Sequence, residues 1–156
     1  VDSQLRDELT RDEGCRLSAY QDTRGFWTIG VGHLLGNAAR MTSITPYEAL
    51  SLLAGDVDAA QKAIEELFPD WSPCDCTHVM CEGDRVRNRA LINMVFNRGI
   101  GAMQTSTSIT PAIRQAMKDK NWAPVTVAIA GSEWARQVGA RATRLAYMLE
   151  HGEVMP

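Results

Sequence analysis

Residues 45–68 constrain the fold more than any other stretch of this chain. Thr45 can cap a helix, Pro46 suits the first helical position, and Glu48 stands where it can complete a capping box. Leu50, Leu53, Val57, Ala60, Ile64 and Leu67 then recur at helical spacing, which predicts one helix over 46–68 with a single buried stripe, stopped by Pro69. At about 1.5 Å per residue such a helix spans about 35 Å, long enough to act as a strut. It divides the chain into an N-terminal part that holds every β signal and a C-terminal part that holds only helical ones.

Ahead of the strut, Ser3 can cap a first helix whose Leu5 and Leu9 share a face, and Gly14 ends it just after Glu13. From Leu17 to Leu35 the chain breaks into short extended segments, punctuated by Thr23-Arg24-Gly25, Gly30, Gly32 and Gly36, which predicts a small antiparallel sheet. Beyond the strut, helices are expected near 84–97 (Val86, Ala90, Leu91, Met94, Val95), at 111–119 after Thr110-Pro111, and at 123–130, 133–138 and 141–150, the last closed by Gly152. The expected class is α+β, mainly α.

The chain's 156 residues are enough for one domain with a real core, and no apolar run approaches the roughly 18 to 20 residues that cross a bilayer. No membrane partner is expected. The net charge of −3 divides unevenly: residues 1–81 carry 6 Lys/Arg against 13 Asp/Glu, and residues 82–156 carry 10 against 6. An acidic half suits carboxylate chemistry and a basic half suits an anionic polymer. Nucleic acid is not the expected polymer, because no Lys-rich run or aromatic-basic motif accompanies the +4.

Four cysteines are present, Cys15 alone and Cys74, Cys76 and Cys81 together. By proximity the expected disulfide joins Cys81 with Cys74 or Cys76, which would imply an oxidising compartment. His78 among the three could complete a zinc site, but four ligands crowded into eight residues lack the paired spacing of structural zinc, so no metal is expected. No organic cofactor is implied.

The chemistry gathers between Glu13 and His33. Two carboxylates, Glu13 and Asp22, and one hydroxyl, Thr28, stand in order around the glycine-rich run Gly25-Phe26-Trp27-Thr28-Ile29-Gly30-Val31-Gly32-His33. Breaking a glycosidic bond usually takes two carboxyl groups, one to protonate the departing oxygen and one to help water or attack directly. Read as one strand of period two, Thr28, Gly30 and Gly32 face one side, a nearly bare floor for a sugar ring, while Ile29, Val31 and His33 face the other. Singly, each residue has a plainer reading: a solvated helix-end glutamate, a turn aspartate, hairpin glycines. Their combination carries the signal.

Glu13, Asp22 nine positions later and Thr28 six beyond that, within Asp12-Glu13-Gly14 and Thr28-Ile29-Gly30-Val31-Gly32-His33-Leu34-Leu35, resemble the phage lysozyme family of the T-even type, glycoside hydrolase family 24. The likeness continues through Asp56-Val57-Asp58-Ala59-Ala60, Ile92-Asn93-Met94-Val95-Phe96-Asn97 and Ser132-Glu133-Trp134 to Arg141 and Gly152. It implies one lysozyme domain over 1–156, with an N-terminal lobe at about 12–55, the connecting helix, and a C-terminal lobe at about 69–156 packed with helix 3–13. It further implies hydrolysis of the β-1,4 bond between N-acetylmuramic acid and N-acetylglucosamine in peptidoglycan, with inversion. Glu13 would be the general acid, Asp22 the second carboxylate, and Thr28 the holder of the attacking water. Leu34, Phe96 and Asn97 would line the saccharide cleft, and Arg141 would approach Glu13. Since a guanidinium favours an ionised carboxyl, Arg141 would position the acid rather than activate it. His33 would form a structural ion pair with Asp56, and Trp122 and Trp134 would be core.

The resemblance points to a monomeric phage endolysin, made in the host cytoplasm and acting on the wall, with tail-associated and bacterial lysozymes as neighbouring settings. A non-catalytic wall-binding module is the competing class, and it would need none of Glu13, Asp22 and Thr28. A lytic transglycosylase would need the acid but has less use for Asp22 and Thr28. Cys15, two residues from Glu13, raises the expectation of a thiol switch.

Overall fold

In a computed structural model of the chain, residues 2–22, 24–36, 43–71 and 82–156 are described. They fall into two compact units, Val1–Ala59 and Ala60–Pro156. The fold class is mainly helical α+β: helix α1 (Ser3–Glu13), strands β1 (Arg16–Gln21), β2 (Trp27–Gly30) and β3 (His33–Gly36), then helices α2 (Pro46–Leu67), α3 (Glu82–Arg98), α4 (Ile100–Gln104), α5 (Ile109–Asp119), α6 (Ala123–Ala130), α7 (Glu133–Val138) and α8 (Ala140–His151). Cys74, Cys76, Cys81 and His78, and with them the expected disulfide, lie outside the described residues. Among the described residues no helix is long and apolar enough to cross a membrane.

In the first unit, α1 is capped by Asp2 rather than Ser3: the Asp2 carboxylate accepts the Gln4 N–H at 2.9 Å, and Ser3 becomes the first helical residue. Both residue types cap well, so composition alone did not separate them. Leu5 and Leu9 are buried as their spacing predicts, and Gly14, at φ 75°, ends the helix with its N–H on the Thr10 carbonyl. The three strands form an antiparallel meander in the order β1-β2-β3. Its apolar face packs Ile29 with Ile44 and with Ala49 of α2, and Ala19, Leu35 and Leu52 close around them.

The single period-two strand expected over 28–33 is a hairpin instead. Gly30 and Gly32 adopt φ 64° and 71°, and Val31-Gly32 turns the chain so that Ile29 pairs with His33. Glycine is the residue that enters this left-handed region at little cost. Each glycine also has close neighbours. A Cβ on Gly30 would lie 3.5 Å from Ile44 Cδ1 and 3.6 Å from Ala49 Cβ, and one on Gly32 would lie 3.5 Å from Glu13 Oε2. Gly30 thus lies against Ile44 and Ala49 and Gly32 against the Glu13 side chain, both at ordinary van der Waals distance, so it is the positive φ that calls for glycine at each.

The start of α2 follows its sequence signature. Glu48 N–H donates to Thr45 Oγ1 at 3.2 Å, while the Glu48 carboxylate accepts the Thr45 N–H at 2.7 Å and its hydroxyl at 2.8 Å. Those bonds, the backbone one foremost, hold the Glu48 carboxyl below its ordinary range. The buried stripe runs through Ala49, Leu53, Val57, Ala60, Ile64 and Leu67; Leu50, expected in it, is 46% exposed. A stripe of period 3.6 can begin at either of two adjacent positions, and Ala49 is the one that packs against Ile29 and Ile44.

Among its described residues the second unit has helices and no strand. α3 packs on α8, α8 on α6, and α6 on α5. α3 is buried without a break from Arg89 to Val95, as befits a central helix. Trp71 donates to Asn88 at 3.1 Å and Asn88 donates to Gln61 at 3.0 Å, joining the end of α2 to α3. The short helix α4 was not expected. Thr110, expected just ahead of its helix, lies inside α5 and donates its hydroxyl to the Met103 carbonyl at 2.7 Å, while Ser106 Oγ accepts the Ile109 N–H. Gly152 closes α8 at φ 67°, and Arg87 donates to the Leu149 and Glu150 carbonyls that this end leaves open.

Candidate active site

Asp22 and Thr28 come together through strand register. Tyr20 pairs with Thr28 and Gln21 with Trp27, so alternation puts Asp22, just past the end of β1, on the face that carries Tyr20 and Thr28. On the other side Thr28 pairs with Leu34, which extends the same face to a leucine 56% exposed. His33, paired with Ile29, takes the opposite face, as expected.

Asp22 is fixed by the turn it makes. Its carbonyl accepts the Gly25 N–H at 3.0 Å and its N–H donates to the Phe26 carbonyl at 2.9 Å. Its carboxylate Oδ1 accepts backbone N–H groups from Phe26 at 2.8 Å and Arg24 at 2.9 Å, and Oδ2 lies 3.5 Å from Arg24 Nε. The Phe26 N–H foremost, joined by the Arg24 N–H and guanidinium, outweighs the desolvation that comes second in size, and the carboxyl is held below its ordinary range. Asp22 is thus built to stay an anion, which suits a base or an electrostatic stabiliser and not a proton donor.

Thr28 is buried, and its hydroxyl donates to the Phe26 carbonyl at 3.4 Å. That long bond uses the hydroxyl proton and leaves the oxygen able to accept. Glu13, half-buried at the end of α1, lies against Gly32 in the β2–β3 turn. Glu13 and the Asp22–Thr28 face therefore belong to one small unit. His33 Nδ1 lies 2.8 Å from Asp56 Oδ2, the contact expected of that pair. Cys15 is exposed, with a free thiol.

In the second unit, Arg141 at the start of α8 is buried, with Nε donating to Asn93 Oδ1 at 2.8 Å and Nη2 to the Asn93 carbonyl at 3.3 Å. Asn97, half-buried, accepts the Trp134 indole N–H at 2.8 Å, and Arg98 lies over the Trp134 ring. Trp122 and Trp134 are core, and Trp122 packs edge-on against Trp71.

Sequence reasoning missed Asn93 and Trp134 as supports of Arg141 and Asn97. A signal was available for Asn93. It is a fully buried amide within Leu91-Ile92-Asn93-Met94-Val95, and a polar side chain in such a run requires a hydrogen-bonding partner.

A small antiparallel sheet followed by a long helix and a helical remainder, with carboxylates at the sheet, defines a glycoside hydrolase of the lysozyme type. The chain belongs to the phage lysozyme family, whose model matches residues 10–145. It is 30% identical over 172 aligned residues to a probable T4-type lysozyme 1 of Dictyostelium discoideum, covering 96% of this chain and 95% of that one. It is 36% identical over 103 residues to the endolysin of Salmonella phage P22, covering 64% of this chain and 63% of that one. The pre-baseplate central spike protein Gp5 of Enterobacteria phage T4 is 29% identical over 178 residues, spanning 96% of this chain but 28% of its own length.

Proposed function

We propose that this lysozyme-family enzyme cleaves the β-1,4 bond between N-acetylmuramic acid and N-acetylglucosamine, with Glu13, Asp22 and Thr28 as its catalytic groups. The observation that carries the proposal is the shared sheet face of Asp22 and Thr28 in the unit whose α1 ends at Glu13. Glu13 gives its proton to the departing glycosidic oxygen as the C–O bond breaks. A water accepted by the Thr28 oxygen attacks the anomeric carbon from the opposite face. Asp22, kept ionised by the Phe26 and Arg24 N–H groups, stabilises the oxocarbenium-like centre and draws the water's proton. Water as nucleophile, with no covalent intermediate, gives inversion.

Leu34, Phe96, Asn97 and Arg141 are proposed to contact the glycan, and His33 with Asp56 to hold β3 to α2. The proposed setting is a monomeric endolysin that acts on peptidoglycan during host lysis; similarity to the P22 endolysin supports that reading. Product analysis on purified peptidoglycan separates the alternatives. A hydrolase leaves reducing muramic acid ends, formed first as the inverted anomer. Anhydro-muramic ends would reveal a transglycosylase, and binding without any product would reveal a wall-binding module.

A further inference from the structure

The second unit holds a groove-like cavity of about 460 Å³ between α6, α7 and α8. Ile129, Ala130, Ala135, Ala142 and Ala146 give it an apolar wall made mostly of small side chains. Its volume is in the range that holds a small organic molecule, roughly 300 to 1,000 Å³. Into this wall the chain sets one half-buried carboxylate, Glu150. The Glu150 Oε2 accepts the Thr126 hydroxyl at 2.7 Å, and among the described residues no cation pairs with it.

The other charged groups at the rim are placed differently. The Arg136 guanidinium is held by Glu133, with Nε donating to Glu133 Oε2 at 2.9 Å. His151 is exposed and rests on the Tyr147 ring, 4.2 Å between centroids. A carboxylate next to apolar surface has lost part of its hydration, and a single hydroxyl returns only part of what water gave. A ligand that brings an N–H⁺ group to Glu150 recovers the rest as a charge-assisted bond, and its apolar body covers the alanine wall. A carboxylate ligand of the same shape meets repulsion at that point.

We propose that this groove is a binding site for a small organic ammonium compound, with an apolar body on the alanine wall and its cation on Glu150. The test uses a matched pair of probes, 4-phenylbutylammonium and 4-phenylbutyrate, titrated into the isotopically labelled 156-residue chain and followed by amide chemical shifts. The expected result is shifts clustered at Thr126, Ala130, Ala142 and Ala146, with the ammonium binding at least about tenfold more tightly than the carboxylate. Glu150→Gln keeps an acceptor for Thr126 and should abolish the preference. Ala130→Phe, at an exposed position on the rim, should block both probes while wall hydrolysis stays unchanged.

Equal binding of the two probes, shifts scattered away from the groove, or a preference that survives Glu150→Gln would overturn the proposal. So would concentration-dependent self-association that perturbs the same residues, which would assign the groove to a second copy of the chain.

Discussion

His33 Nδ1 lies 2.8 Å from Asp56 Oδ2 and 3.0 Å from Oδ1, tying the first residue of β3 to the middle of α2. Both side chains are about a quarter to a third exposed, so water weakens the pair without cancelling it. A double-mutant cycle with His33→Ala and Asp56→Ala should return a coupling of about 1 kcal/mol in denaturant-unfolding stability. A coupling near zero would mean that the two positions act independently.

The titration of Asp22 has a definite sign. Its folded carboxyl lies below the ordinary value of 3.8, because the Phe26 N–H, then that of Arg24, bonds the ionised form. Its contribution to stability is therefore complete above the unfolded pKa and is lost as pH falls through the lower folded one. Carboxyl NMR should give a midpoint below 3.8, and the acid limb of the activity profile should not report Asp22 at any pH above about 4. Asp22→Asn keeps an acceptor for both N–H groups, so it should fold normally and lose about 10² to 10⁴ in kcat.

Trp134→Phe removes the donor that orients Asn97. If Asn97 contacts the glycan, KM should rise about three- to tenfold, equivalent to roughly 1 kcal/mol of lost positioning, with little change in kcat. Trp134→Ala should instead lower stability by about 3 to 5 kcal/mol, because the ring is core.

Gly152→Ala tests the close approach of two helix ends. The new Cβ would fall 2.8 Å from Gly83 Cα, backbone that cannot swing aside, at a φ of 67° that alanine rarely adopts. Clash and backbone strain together should cost about 2 to 4 kcal/mol in thermal or denaturant unfolding.

What could be read in the sequence is what local chemistry decides. The Thr45/Glu48 box, the Gly14 and Gly152 helix ends and the Leu5/Leu9 face depend on neighbours a few residues away, and each is found as expected. The errors arose where tertiary contact chooses between equal local options. Ala49, not Leu50, joined the buried stripe, because the apolar face of the sheet at Ile29 and Ile44 packs against Ala49. The Val31-Gly32 turn was concealed because glycines alternating with apolar residues also fit a period-two strand. At the site, Asp22 and Thr28 could be named from spacing, but their shared face needed the pairing of Tyr20 with Thr28. Asn93 and Trp134 needed the packing of helices distant in sequence.

Glu13 is proposed as the acid of a peptidoglycan-cleaving site. Its most direct test is the clearing of outer-membrane-permeabilised Gram-negative cells by the wild-type chain and by Glu13→Gln, side by side, after circular dichroism and unfolding show the variant folded. Clearing by the wild type and a loss of at least about 10² in rate for the variant are expected. Equal clearing by both would assign the acid to another residue, and no clearing by either would contradict the enzyme reading itself.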